Sequence, residues 1–88
     1  MHPYKQFVAD TSDRIDRIMQ SFGFQGLIAA GDMRGEFCDF QWSTIIDPRR
    51  ISEIDAARLD FLLQHIGVQK IVYDAQTDTA TLTVLYRQ

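Results

Sequence analysis

The sequence contains very little cysteine and very little proline. Cys38 is the only cysteine among the 88 residues, so an intrachain disulfide is excluded and nothing indicates an oxidising compartment. Pro3 suits the first turn of a helix, where the missing N–H is not needed. Pro48 marks the one proline-containing break in the chain. With 45% apolar and 24% charged residues, the chain has the composition of an ordinary globular domain.

Long apolar runs and clusters of basic residues are also missing. No segment approaches the roughly 20 apolar residues that span a bilayer, and residues 1–10 lack a signal-peptide core. We therefore expect no membrane association and a cytoplasmic location. The formal charge is −3 and neither half has a basic block, so direct binding to nucleic acid is not expected. The acidic balance favours solubility and, more weakly, a basic partner surface.

No pattern in the sequence is typical of a catalytic, metal or cofactor site. The histidines His2 and His65 are far in sequence from Cys38, so no nucleophile–base pair is indicated. His65 also lacks the spaced partners that a metal ligand requires. We expect a protein that is not an enzyme and that uses no metal and no cofactor.

What the sequence does contain is an internal similarity. Residues 14–28 align without a gap on residues 58–72 after a shift of 44 positions. Five of the fifteen positions are identical, and seven more exchange one apolar residue for another. The identical pairs are Arg14/Arg58, Asp16/Asp60, Gln20/Gln64, Gly23/Gly67 and Gln25/Gln69. Convergence between two amphipathic helices explains the apolar matches and the glycine, but not the repeated polar residues. The pattern favours a tandem duplication of one supersecondary unit.

Hydrophobic periodicity predicts the same order of elements in both halves. The predicted elements are helices over 3–22 and 53–66 and strands over 24–30, 36–46, 68–74 and 79–87. The first helix is expected to be continuous, although a break near residues 10–12 is an alternative. Gly23 and Gly67 are expected to end the two helices.

The order αββαββ predicts an α+β fold, a two-layer sandwich in which a four-stranded antiparallel sheet carries both helices on one face. We expect a single domain over 1–88, built from αββ repeats of about 1–46 and 47–88, because 44 residues bury too little surface alone. This order is a circular permutation of the ferredoxin-like sandwich, an analogy that carries no function. A domain-swapped dimer that exchanges whole αββ units would satisfy the same pattern.

A sandwich of this kind leaves one face of its sheet uncovered. The alternating strands place Cys38, Phe40 and Trp42, with Leu82, Val84 and Tyr86, toward the core. Since Lys70 and Asp74 share a face of the third strand with Val68 and Val72, that face is assigned to the outside. The residues expected on the uncovered face are Phe24, Ile28, Phe37, Val68, Val72 and Leu85. A contiguous patch of this composition predicts a protein–protein interface.

Two polar segments are weaker candidates for recognition. Residues 31–35 are expected to form a turn in which Asp32 and Arg34 contact a ligand, although a plain hairpin turn is the simpler interpretation. Arg49 and Arg50 precede a helix N-terminus, where an anion would be favoured; a solvated loop is the simpler interpretation there.

These observations indicate a small non-enzymatic protein–protein interaction domain. It would act as an adaptor, or as an inhibitor that blocks a larger machine, as compact acidic proteins of phages and mobile elements often do. The partner would be a second copy, giving a homodimer, or a foreign protein. The alternative is a small-molecule-binding module that uses the cleft between the repeats or a dimer cleft, with Trp42, Tyr73 and Tyr86 as lining residues.

Overall fold

A computed structural model of the protein describes residues 3–44, 53–74 and 76–86. It contains two helices and a four-stranded antiparallel sheet, which confirms the predicted α+β fold. The elements are α1 (Pro3–Ser21), β1 (Gly26–Arg34), β2 (Phe37–Thr44), α2 (Glu53–His65), β3 (Val68–Asp74) and β4 (Thr79–Leu85).

Both helices end at a glycine in the left-handed conformation. Gly23 has φ of 85° and Gly67 has φ of 99°, values that a residue without a Cβ adopts at little cost. Each glycine donates its N–H to the carbonyl three residues earlier, to Gln20 at 2.9 Å and to Gln64 at 3.0 Å. These bonds satisfy carbonyls that the helix leaves without intrahelical partners. α1 runs to this end without a break.

The two hairpins meet along their second strands. The sheet order is β1-β2-β4-β3, so β2 and β4 are central and β1 and β3 form the edges. β2 and β4 pair antiparallel from Phe37 opposite Leu85 to Ser43 opposite Thr79. Because residues directly opposite each other share a face, this register fixes which side chains of the central strands lie together.

The core lies on one face of these central strands. Cys38, Phe40 and Trp42 are fully buried, as the alternation in the sequence predicts. α1 packs on this face, because the rings of Phe7 and Phe40 lie 6.2 Å apart and the Tyr4 hydroxyl lies 3.8 Å from the Cys38 sulfur. The buried apolar residues form one cluster: Ile15, Met19, Phe24, Cys38, Phe40, Trp42, Leu63, Val68, Ala80, Leu82 and Val84.

The predicted turn over residues 31–35 is wrong in its extent. β1 continues through Arg34, and the turn is confined to Gly35 and Glu36. Gly35 supplies the positive φ of 62° that this turn requires. Asp32 and Arg34 therefore belong to a strand instead of a loop. Arg49 and Arg50 lie outside the described residues.

Three of the six residues assigned to the uncovered face lie on the core side. Phe24 and Val68 are only 4% and 3% exposed, and Ile28 is opposite Trp42 and packs against the core cluster. In β3 the reason is a β-bulge: Val68 is opposite Val84 and Lys70 is opposite Thr83, so Gln69 is an extra residue. An extra residue reverses the alternation of faces. Val68 consequently faces inward although Lys70 and Val72 face outward.

Candidate functional site

The side of the sheet opposite the core cluster is the best candidate for a functional surface, and we call it the outer face. Its members follow from the strand register and alternate with the buried residues. They are Leu27, Ala29 and Arg34 on β1, Phe37, Asp39, Gln41 and Ser43 on β2, Lys70, Val72 and Asp74 on β3, and Thr79, Thr81, Thr83 and Leu85 on β4.

Asp39 is the fixed polar centre of the outer face. Its Oδ1 accepts a hydrogen bond from Arg34 Nη2 at 2.9 Å and another from the Thr83 hydroxyl at 2.8 Å. The Asp39 side chain is 23% exposed, whereas that of Arg34 is 65% exposed. Arg34 therefore reaches from β1 to Asp39 on the neighbouring β2 while most of its side chain remains in solvent.

The electrostatics of this centre favour an ionised carboxylate. The Arg34 hydrogen bond lowers the pKa of Asp39 below its ordinary 3.8, and the Thr83 hydroxyl and the charge of Lys70 act in the same direction. Partial burial opposes them without overcoming them. Asp39 thus remains an anion at neutral pH, paired with a cation of the same chain, and is suited to hold the surface in one arrangement.

Apolar side chains lie around this polar centre rather than forming the expected patch. Phe37 is 36% exposed and lies directly between Arg34 and Leu85 in one row across three strands. Val72 is 50% exposed but lies opposite Thr81, in another row toward the edge. The structure therefore brings Phe37 and Leu85 together and separates both from Val72.

Two residues of this surface were missed by the sequence interpretation. Leu27 is 80% exposed on the outer face but was not among the residues expected there. Asp39 was correctly placed opposite the core residues of β2 but was not recognised as a site. The available signal was an aspartate on the outward side of a strand with an arginine five residues earlier across a glycine turn.

Asp32 does not join this centre through any hydrogen bond of its own that the described structure contains. It is exposed on β1, within the register shift between Ala30 and Met33. Of the two predicted recognition residues that the structure describes, Asp32 and Arg34, it is Arg34 that a defined interaction holds, its ion pair with Asp39.

Cys38 has the surroundings of a structural cysteine. It is fully buried, and burial is the largest cause that raises the pKa of its thiol. A protonated, inaccessible thiol is a poor nucleophile. The Tyr4 hydroxyl beside it also has a raised pKa, chiefly through this contact. The pair is neutral at physiological pH and belongs to the interface between α1 and the sheet.

Two similar grooves lie where the helices end. The groove at the end of α1 has a volume of about 410 Å³, and its lining includes Gln20, Gly23 and Gln25. The groove at the end of α2 has a volume of about 430 Å³, and its lining includes Gln64, Gly67 and Gln69 together with Arg14 from α1. Arg58 lines an adjacent groove beside Ser21 and Phe22. The glutamines and glycines that are identical between the halves therefore line both grooves, whereas Arg14 lines the second groove and Arg58 lines a separate one.

The chain was compared with protein-family models, with curated proteins and with solved structures. None of the three comparisons gave a match. Within the described ranges, no three histidine, cysteine, aspartate or glutamate side chains gather into a group that could hold a metal ion. Neither described helix has the length and apolar composition needed to cross a membrane.

Proposed function

We propose that this protein is a small non-enzymatic protein–protein interaction domain that docks through its outer face, as an adaptor or as an inhibitor of a larger machine. The observation that carries the proposal is the arrangement of Phe37 between Arg34 and Leu85, next to the hydrogen-bonded Asp39. An exposed aromatic ring and an arginine are the residue types enriched at protein interfaces.

The polar centre supports docking because it is already ordered. Arg34 and Thr83 both donate a hydrogen bond to Asp39, so fewer side chains must be immobilised when a partner binds. Covering an apolar side chain such as Phe37, Leu27 or Val72 contributes roughly 1.5–3 kcal/mol when burial is complete. The costs of association offset part of this gain.

The charge of the protein supports a partner with a basic surface. The formal charge of −3 favours association with a positively charged channel or groove, such as one that binds nucleic acid. A protein bound there would compete with the phosphates of the nucleic acid and so inhibit the partner. Binding of this kind weakens as salt is added. The proposed location is the cytoplasm, because its reducing conditions keep thiols free, and the single cysteine of this protein is a buried free thiol.

The proposed architecture is a tandem αββ duplication folded as a two-layer sandwich over 1–88. Asp39 and Thr83 are 44 residues apart and lie opposite each other. Their neighbours pair symmetrically, Cys38 with Val84 and Phe40 with Leu82. Such a register is expected if a twofold axis relates each residue of β2 to the residue 44 positions later on β4. The identical glycine ends of the helices support the same relation.

The function is tested by capturing partners from a cell extract with three forms of the protein. Phe37→Glu places a charge at the centre of the proposed surface and is expected to abolish capture. Phe61→Glu is the matched control, because Phe61 is an exposed phenylalanine on α2, outside the outer face. The proposal is contradicted if Phe61→Glu removes the captured protein and Phe37→Glu retains it.

A small-molecule-binding module is the second candidate, and the grooves at the helix ends favour it. Their lining residues Arg14, Gln64 and Gln69 offer hydrogen-bond donors to a polar ligand with a negative charge. Of the aromatic lining residues expected from the sequence, Trp42 is fully buried, whereas Tyr73 and Tyr86 are half-buried. A thermal-shift screen tests the groove: a ligand at 100 times its dissociation constant stabilises by about 2.7 kcal/mol. Arg14→Ala should remove that response.

A further inference from the structure

The outer edge of β3 is a strand edge without a neighbour among the described elements. β3 is last in the sheet order, and Ile71 and Val72 are 41% and 50% exposed although they point to opposite faces. The edge of a sheet presents backbone N–H and C=O groups that can pair with another strand. An exposed apolar edge is therefore a place where a further strand can be added.

The charges of β3 restrict which strand fits. Lys70 and Asp74 lie on the outer face, on either side of Val72 and two residues from it. In an antiparallel pair centred on Val72, Lys70 of one copy is directly opposite Asp74 of the other, and the reverse holds as well. Opposite charges at this position stabilise a pair of strands, and like charges destabilise it. No other register that is centred on a residue between Lys70 and Asp74 forms both pairs.

We propose that the protein forms a homodimer by antiparallel pairing of β3 with β3 of a second copy, centred on Val72. The two four-stranded sheets then form one eight-stranded sheet, and the two outer faces become continuous. Val72 of one copy lies opposite Val72 of the other at the twofold axis. On the other side of the sheet, Ile71 of each copy lies opposite Tyr73 of the other. Lys70 also makes the pairing selective, because a strand with no acidic residue opposite Lys70 cannot form this ion pair.

The other edge of the sheet is a poorer match to a second copy. β1 contains a register shift between Ala30 and Met33, in the middle of the strand, which bends the edge away from a straight partner. Arg34 is already paired with Asp39 in the same chain. In β3 the shift lies at the beginning, next to Val68, so the segment from Lys70 to Asp74 is regular. Asp74 is also held in place, because its Oδ1 accepts the N–H of Gln76 at 2.9 Å.

Charge reversal tests the proposed register through light scattering behind size exclusion, over a wide range of concentration. Wild type is expected to be a dimer that dissociates on dilution. Lys70→Asp and Asp74→Lys each create two pairs of like charge, which should raise the dissociation constant at least about tenfold. An equimolar mixture of the two variants restores both opposite-charge pairs and should form a heterodimer. Circular dichroism of each variant alone verifies that it is folded.

The mixture makes the test specific. If wild type is monomeric at every concentration, or if each single variant dimerises as well as wild type, the proposal is wrong. If both variants are folded monomers and their mixture remains monomeric, the register centred on Val72 is wrong.

A cysteine at the twofold axis gives an independent measurement. Val72→Cys should form a disulfide-linked dimer under mild oxidation, because the two Cα atoms are about 4.5–5.5 Å apart in an antiparallel pair and a disulfide spans this distance. Thr81→Cys is the matched control: Thr81 is opposite Val72 but one strand further inside. Two copies of Thr81 would be three strand spacings, about 14 Å, apart. Equal cross-linking of the two variants would overturn the proposal, and the buried Cys38 does not interfere.

Discussion

Asp39 shows how a single residue organises the outer face. Its carboxylate joins β1 to β4 across β2, because Arg34 and Thr83 both donate to the same oxygen. The central position of β2 in the sheet makes this connection possible. Hydrogen bonds to an ionised group are stronger than those between neutral groups, so protonation of Asp39 is expected to loosen the surface.

The pH dependence of stability tests the role of Asp39. Because its pKa is lower in the folded protein than the ordinary 3.8, its contribution to stability is present above about pH 4 and is lost as the pH falls through the folded value. Arg34→Ala moves the pKa back toward 3.8. Chemical denaturation should therefore show Arg34→Ala less stable than wild type at pH 7, with a difference that shrinks toward pH 2.

The matched control for this measurement is Arg17→Ala. Arg17 pairs with Asp13 at 3.1 Å on the surface of α1, where both side chains are more than half exposed. Exposed pairs of this kind contribute little, so the control should follow the wild-type curve. If Arg34→Ala shows the same difference from wild type at pH 2 as at pH 7, the hydrogen bonds of Asp39 do not stabilise the protein as described.

At the scale of single elements, the bulge in β3 decides which valine belongs to the core. Val68 and Val72 are four residues apart, and regular alternation would place them on the same face. The extra residue Gln69 instead turns Val68 inward and leaves Val72 outward. The two valines are chemically identical, so the difference between them comes only from the backbone.

Replacement of each valine by alanine measures this difference. Val68→Ala removes buried methyl groups next to Val84 and should lower the free energy of unfolding by about 1–3 kcal/mol. Val72→Ala, measured in dilute solution, should change it by less than about 0.5 kcal/mol. Urea denaturation of both variants supplies the values. Equal losses would show that β3 has no bulge at Gln69.

The same comparison explains what the sequence could predict. On β2 and β4 apolar residues alternate with polar ones, so Cys38, Phe40, Leu82 and Val84 were assigned correctly to the core. On the edge strands apolar residues occur on both sides, so the pattern of polar residues is a weaker guide to the faces. Lys70 correctly placed Val72 outside, but a bulge leaves no simple mark in the sequence, so Val68 was placed there too.

Glycine was ambiguous for a related reason. Residues 31–35 contain two glycines and were interpreted as one turn, but Gly31 and Gly35 lie in different structural elements. Gly35 adopts the positive φ of the turn. Gly31 lies inside β1, where an added Cβ would be 3.1 Å from the backbone oxygen of Asp39. This close approach of two strands at a bulge leaves little room for a side chain, and the sequence does not distinguish it from a turn.

At the scale of the whole molecule, the proposed duplication gives the protein two kinds of surface. The grooves at the two helix ends share glutamines and glycines that are identical between the halves, whereas the outer face differs between them. Phe37 corresponds to Thr81 and Asp39 to Thr83 after the shift of 44 residues. A surface on which the repeats have diverged is suited to one asymmetric partner, which agrees with the proposed docking through Phe37 and Arg34.

Thiol labelling tests most directly whether a partner covers the outer face. Gln41→Cys and Phe61→Cys introduce one exposed thiol each, on the outer face and on α2, and leave Phe37 in place, while Cys38 is buried and does not react. Each variant is labelled in buffer and in extract of the cells that contain the partner. A partner that occupies nine-tenths of the molecules should slow the labelling of Gln41→Cys about tenfold and leave Phe61→Cys unchanged. Equal rates for Gln41→Cys in buffer and in extract, or protection of Phe61→Cys alone, would contradict docking through the outer face.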